Sequence, residues 1–296
     1  MSRLTATAEA TKAKKKTNTK TFEQLVDELK NSPSEKVRYN AARVLGEMGE
    51  PEAVHPLIES LKHDKNGSVR LYAARALGEL GETLATHPLI ESLETDRNVD
   101  VRIRAARALG RLGGEDVVMP LVYALSDGNS QVCMTAADAL IEIGSIAAKP
   151  LIESLSSDRV NVRCDATRAL GELGDVSAVE PLVGMLTDEW VNVRIYAVQS
   201  LGKLGDAGAV DALVDVLNDD DENVLVRAGA AQALGQIKDL RALLPLRTLI
   251  MDANGLGEIE DMALKAYKMI MAANWQRLPG ATAAKKAGVA NPQPAL

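Results

Sequence analysis

Residues 69–93, VRLYAARALGELGETLATHPLIESL, decide the fold. From Val69, apolar side chains fall at 69, 73, 77 and 80, with further alanines at 74 and 76. That spacing predicts a helix, A, with a wide apolar stripe. Gly81 predicts its end, because glycine enters the left-handed conformation at little cost. Gly78 sits one turn earlier, where it costs about 1 kcal/mol against alanine. The second run places Ala85, Leu89, Ile90 and Leu93 on one face of a helix B. Pro88 lacks an N–H and belongs near the start of that helix, or marks a break after a short turn at Leu84–Ala85.

The stretch recurs. Its Val-Arg start stands at Val37-Arg38, Val69-Arg70, Val101-Arg102, Val162-Arg163, Val193-Arg194 and Val226-Arg227, and Val132-Cys133 is a seventh copy with Cys in the Arg slot. Successive second residues (38, 70, 102, 133, 163, 194, 227) lie 30 to 33 apart. A period of that size marks a solenoid of stacked helical pairs, each too small to bury its own apolar face. The costly glycine recurs with it, at Gly46, Gly110, Gly171, Gly202 and Gly235, which predicts close helix approach. In the fourth repeat Ile141 holds that slot, so its packing should differ.

The pattern VRxxAAxALGxLGxxxAVxPLIxxL resembles the short HEAT-like repeats of the phycobilisome-lyase class, over about Thr21 to Trp275. The resemblance implies an all-α, right-handed α-solenoid of about seven helical pairs with terminal capping helices. It also implies that helix B lines the concave face. It says little about function, because one solenoid hosts many unrelated tasks.

Composition narrows the classes. The chain is 46% hydrophobic but only 3% aromatic, so few rings are available to stack on bases. No run of about 18 apolar residues is present, and the N-terminus has no apolar signal-peptide core. Two cysteines make no disulfide framework, and a cytoplasmic location is the default expectation. Net charge is −7. Residues 1–20 hold six basic side chains against Glu9, and residues 277–296 hold three with no acid. The body between them is therefore at −15, the whole-chain value less the +5 and +3 of the tails. A body this acidic repels phosphate backbones and argues against a nucleic-acid groove.

Residues 1–20 read as a disordered basic tail, 21–276 as the solenoid and 277–296 as a disordered C-terminal tail. Thr21 to Lys30 resembles a helix B without its helix A, with Phe22 plugging the end of the core. Beyond Arg241 the repeat decays: Lys238 takes the final Gly slot, 252–257 reads as a loop, and Glu258–Trp275 as a capping helix.

In the turns, an acid stands six residues before the Arg slot: Asp64–Arg70, Asp96–Arg102, Asp188–Arg194 and Asp221–Arg227, with Asp158–Arg163 at five. The resemblance implies an Asp/Arg ladder between neighbouring turns. A guanidinium fork can join two turns and a carboxylate, which lysine cannot. On this reading the arginines are structural, and Cys133 strands Asp127.

The outward slots of helix B are the residue before the Pro slot and the residue three after it. They read His55/Glu59, His87/Glu91, Met119/Tyr123, Lys149/Glu153, Glu180/Gly184 and Asp211/Asp215. These vary while core slots do not, as a binding face would. The pairs His55–Glu59 and His87–Glu91 are spaced i,i+4 on one helical face. HEAT-repeat deoxyhypusine hydroxylase binds iron through adjacent His-Glu dyads, but here the dipeptides are His55-Pro56, His63-Asp64 and His87-Pro88, so that identity is rejected. No metal site and no cofactor is expected, and the two pairs are read as solvated His–Glu contacts. No GxSxG, P-loop or CxxC motif occurs, and Cys133 and Cys164 have no histidine in their repeats, so no catalytic residue is assigned.

The expected function is non-catalytic: a scaffold, adaptor or assembly factor that binds a protein with a basic patch, in an oligomeric state the sequence leaves open. The alternative implied by the resemblance is a subunit of a bilin lyase, distinguishable by bound bilin after co-expression.

Overall fold

The computed structural model describes residues 20–252 and 257–277; the expected tails fall outside them, apart from Lys20 and Arg277. It is all-α among the described residues. Helix α1 spans Phe22–Asn31. Seven A/B pairs follow in order: α2 (Glu35–Met48) and α3 (Val54–His63); α4 (Gly67–Leu80) and α5 (Thr86–Thr95); α6 (Val99–Leu112) and α7 (Val118–Ala124); α8 (Ser130–Ile143) and α9 (Ala148–Ser154); α10 (Val160–Leu173) and α11 (Val179–Gly184); α12 (Val191–Leu204) and α13 (Val210–Asn218); α14 (Val224–Ile237) and α15 (Leu243–Asp252). Helix α16, Glu258–Asn274, closes the order. The chain divides into two compact parts, one ending at Leu112 and the other beginning at Gly113. That cut falls inside the third repeat, between α6 and α7.

Each B helix begins with a single 3-10 turn, such as Thr83–Ala85, and continues as α-helix from Thr86. Both sequence readings of Pro88 therefore hold: the turn precedes the helix and the proline sits in its first turn. The residue after each Pro slot is the anchor. Leu57, Leu89, Leu121, Leu151, Leu182, Leu213 and Leu246 are all fully buried. Helix A ends as expected, with Gly81 left-handed at φ 74°. Gly78 marks a close approach, because a Cβ there would stand 2.7 Å from the Ala108 Cβ on α6.

Within the second part, α16 packs on α14 as the next A helix would. A Cβ on Gly235 would meet Ala266 of α16 at 2.9 Å, so the cap occupies the A position of an eighth repeat. Lys238 is left-handed at φ 61°, a conformation that favours glycine, and is the one such non-glycine among the described residues. At the other end, α1 starts with a capping box between Thr21 and Gln24. Phe22 is only half-buried, and Leu25 and Leu29 carry the packing, so the expectation of a phenylalanine plug is corrected. Ile141 in the glycine slot has the expected effect: α8 and α10 pack less extensively than other adjacent A helices of this part.

The ladder exists, with a different pairing. Arg70 donates Nη1 to the Asp64 carbonyl six residues before it at 2.9 Å. Its fork reaches the carboxylate of the following turn, Asp96, through Nε at 2.6 Å and Nη2 at 2.7 Å. Arg38 forks in the same way onto Asp64, Arg163 onto Asp188, and Arg194 onto Glu222. The acid six residues ahead thus lends its arginine a backbone carbonyl and gives its carboxylate to the preceding repeat. Two slots shift accordingly. Glu222, not Asp221, is the rung beneath Arg194. In the fifth turn Ser157, not Asp158, stands in the acid slot: its carbonyl takes Arg163 Nη1 at 2.9 Å.

Cys133 and Ser157 are therefore the two halves of one missing rung. The Cys133 thiol replaces part of the arginine, donating to the Asp127 carbonyl at 3.3 Å. Asp127 is not stranded; its carboxylate accepts the Asn129 N–H at 2.8 Å. At the intact rungs, side chains are almost wholly enclosed, with Arg70 9% and Asp96 7% exposed. Burial alone would raise the Asp96 carboxyl, but the Arg70 hydrogen bonds and the Asn98 N–H outweigh it and hold the group below its ordinary value. Asp64 and Asp188 are lowered by the same balance.

Candidate interaction surface

The buried leucine after each Pro slot turns the residues on either side outward. All the outward slots named from the sequence are solvent-exposed: His55, Glu59, His87, Glu91, Met119, Tyr123, Lys149, Glu153, Glu180, Gly184, Asp211 and Asp215. They fall in both compact parts. His55, Glu59, His87 and Glu91 lie on the adjacent helices α3 and α5 of the first. The others lie on α7, α9, α11 and α13 of the second.

On α7, Met119 is 42% and Tyr123 64% exposed, one turn apart. Between them Leu121 is fully buried, which fixes the helix rotation that presents the pair. A residue the decaying pattern hid is Leu244, the residue before Pro245, which is 72% exposed on α15. The proline was the signal that would have found it.

Charges on these helices are paired differently from the i,i+4 expectation. Glu59 lies 3.8 Å from His63, not against His55, and Glu91 lies 3.3 Å from Lys62, not against His87. The expected His–Glu contacts are thus corrected: i,i+4 spacing puts two side chains on one face without choosing their rotamers. In the second part, Asp211 is bound by Arg241 at 2.9 Å. Glu153, Glu180 and Asp215 make no ion pair among the described residues, and neither does Lys149, so these outward slots carry a net negative charge. No group of three or more His, Cys, Asp or Glu among the described residues is arranged to hold a metal ion.

The A helices of repeats four to six carry a groove of about 790 Å³, bordered by Cys133, Met134, Cys164 and Tyr196. It runs along the irregular fourth repeat, where α8 and α10 are more loosely packed. Both thiols are raised by burial, Cys164 to about 11, so neither carries thiolate character at neutral pH. Trp190, in the turn before α12, is 52% exposed.

No curated protein matches this chain in sequence. Among solved structures it is similar to importin beta at TM-score 0.62 and 15% identity, over 84% of this chain and 41% of that one. At that identity the likeness shows the solenoid fold alone. It is also similar to the complex of CpcE and CpcF of phycocyanin lyase from Nostoc sp., at TM-score 0.44 and 26% identity, over 86% and 95%. Human deoxyhypusine hydroxylase gives TM-score 0.39 and 22% identity, over 85% and 96%. No helix among the described residues is long and apolar enough to cross a membrane. The family model for HEAT repeats matches residues 22–98, 86–160, 148–225 and 191–265, which together run from α1 into α16, and the chain belongs to the HEAT-repeat family.

Proposed function

We propose that the protein is a non-catalytic scaffold or assembly factor that holds a protein partner on the B helices of its second part, anchored at Met119 and Tyr123. The observation that carries the reading is the exposure of Tyr123, at 64%, beside Met119 in a slot held outward by buried leucine. Interface energy concentrates in a few such aromatic and methionine contacts ringed by polar side chains. The polar slots that follow in series on α9, α11 and α13 are Lys149, Glu153, Glu180, Asp211 and Asp215, with Gly184 leaving an open position on α11. With Asp211 paired to Arg241, Glu153, Glu180 and Asp215 stand against Lys149 alone, so the partner presents a basic patch that speeds association more than it deepens affinity. His55, Glu59, His87 and Glu91 form a second, mixed-charge stretch for the same kind of contact. The HEAT-repeat family supports protein binding as the general role.

The test is affinity capture from the native host with the full-length chain as bait, followed by mass spectrometry. The reading expects one protein enriched over bead controls and released as salt is raised. No enriched protein, or one captured equally by a Glu180→Lys/Asp215→Lys bait at all salt concentrations, removes the charge-guided face.

A further inference from the structure

A separate surface, on the A helices of the first part, departs from the repeat in charge. At the same two slots, repeats one and two carry an Arg and a Glu four residues apart, joined in salt bridges: Arg43–Glu47 at 2.5 Å and Arg75–Glu79 at 2.7 Å. Repeat three carries Arg107 and Arg111. One turn before Arg107, Arg104 stands where repeat two has Tyr72. Like charges at this spacing destabilise a helix. Arg104, Arg107 and Arg111 have no ion pair among the described residues to offset that. Together with Arg75 and its salt-bridge partner Glu79 they wall a cavity of about 160 Å³ between α4 and α6, so the three arginines of α6 are the guanidinium groups left without a carboxylate there. Its floor is the close Gly78–Ala108 contact, where two small residues leave room between the longer side chains.

We propose that this cleft binds an acidic peptide segment, its carboxylates taken up by the arginine forks. Guanidinium suits this role because it offers paired, coplanar donors that match a carboxylate. Arg104 to Arg111 covers about 10 Å of helix, which fits several carboxylates in a row better than one small anion. A long nucleic acid would bring its charge against a body at −15, so a short acidic segment is favoured over a phosphate backbone. This site goes beyond the proposed B-helix contact and implies a second partner of opposite charge.

The experiment titrates the full-length chain against a fluorescein-labelled peptide of alternating Glu and Gly at low salt, read by anisotropy. Saturable binding is expected, absent with a Gln/Gly peptide. Arg111→Glu restores the pairing seen in repeats one and two, so it should keep or raise the melting temperature while weakening the peptide by about tenfold or more. Arg104→Gln should weaken it in the same direction. Unsaturable binding to the native chain overturns the proposal. So does undiminished affinity in Arg111→Glu, or tighter binding of a single-stranded oligonucleotide of equal charge.

Discussion

At the residue scale, Thr167 is the sharpest departure from the repeat. It stands where repeats one to four have alanine, is fully buried, and its Oγ1 is the one buried side-chain polar atom without a hydrogen-bond partner among the described residues. Its carbonyl is satisfied by Ser200 Oγ at 2.9 Å, which leaves the hydroxyl's desolvation uncompensated. Thr167→Val keeps the shape and removes that cost. It should stabilise the protein by about 1–2 kcal/mol, seen as a higher urea midpoint at unchanged slope. A lower midpoint would mean that the hydroxyl has a partner. Thr167 was visible in the sequence as a deviation from alanine, but its lack of a partner was not, because that depends on neighbours a repeat away.

At the element scale, what the sequence showed and what it hid have one physical origin. Helix A, its glycine stop and the buried leucine of helix B follow from local rules, so they could be read residue by residue. The rung could not. An arginine stands six residues after one acid and 26 before the next, as Arg70 does between Asp64 and Asp96. In a regular array both separations recur, and spacing alone cannot choose between them. The structure chooses the following acid, and this explains why Cys133 and Ser157 depart together. It also makes a test. Cys133→Arg alone buries an unpaired guanidinium, and Ser157→Asp alone an unpaired carboxylate, so each should destabilise. The double variant rebuilds the rung. It should exceed the sum of the single effects by about 1–3 kcal/mol in a double-mutant cycle. Additive effects would show that the two positions do not face each other.

On the scale of the whole molecule, the rungs set the acid limit of stability. Asp64, Asp96 and Asp188 have lowered folded-state pKa values. Their contribution is therefore complete above the ordinary carboxylate pKa of about 3.9, and is lost as pH falls through the lower folded values. The melting temperature should be nearly level from neutral pH to about 5 and fall steeply below about 4. Asp96→Asn should melt lower at neutral pH and show a shallower acid limb; parallel limbs would contradict the assignment. The outward slots were legible because the Pro-Leu anchor fixes helix rotation. The charge pattern around them was not, since His63, Lys62 and Arg241 reach the acids through rotamers that spacing does not specify. The central claim, that the B helices of the second part hold the partner, is tested most directly by measuring capture of that partner alongside melting temperature in Tyr123→Ala and Trp190→Ala. Tyr123→Ala should weaken binding by about 1–3 kcal/mol at nearly unchanged melting temperature, with Trp190→Ala close to the native chain. If Trp190→Ala abolishes binding while Tyr123→Ala only lowers the melting temperature, the partner sits on the turn edge and the B-helix account is wrong.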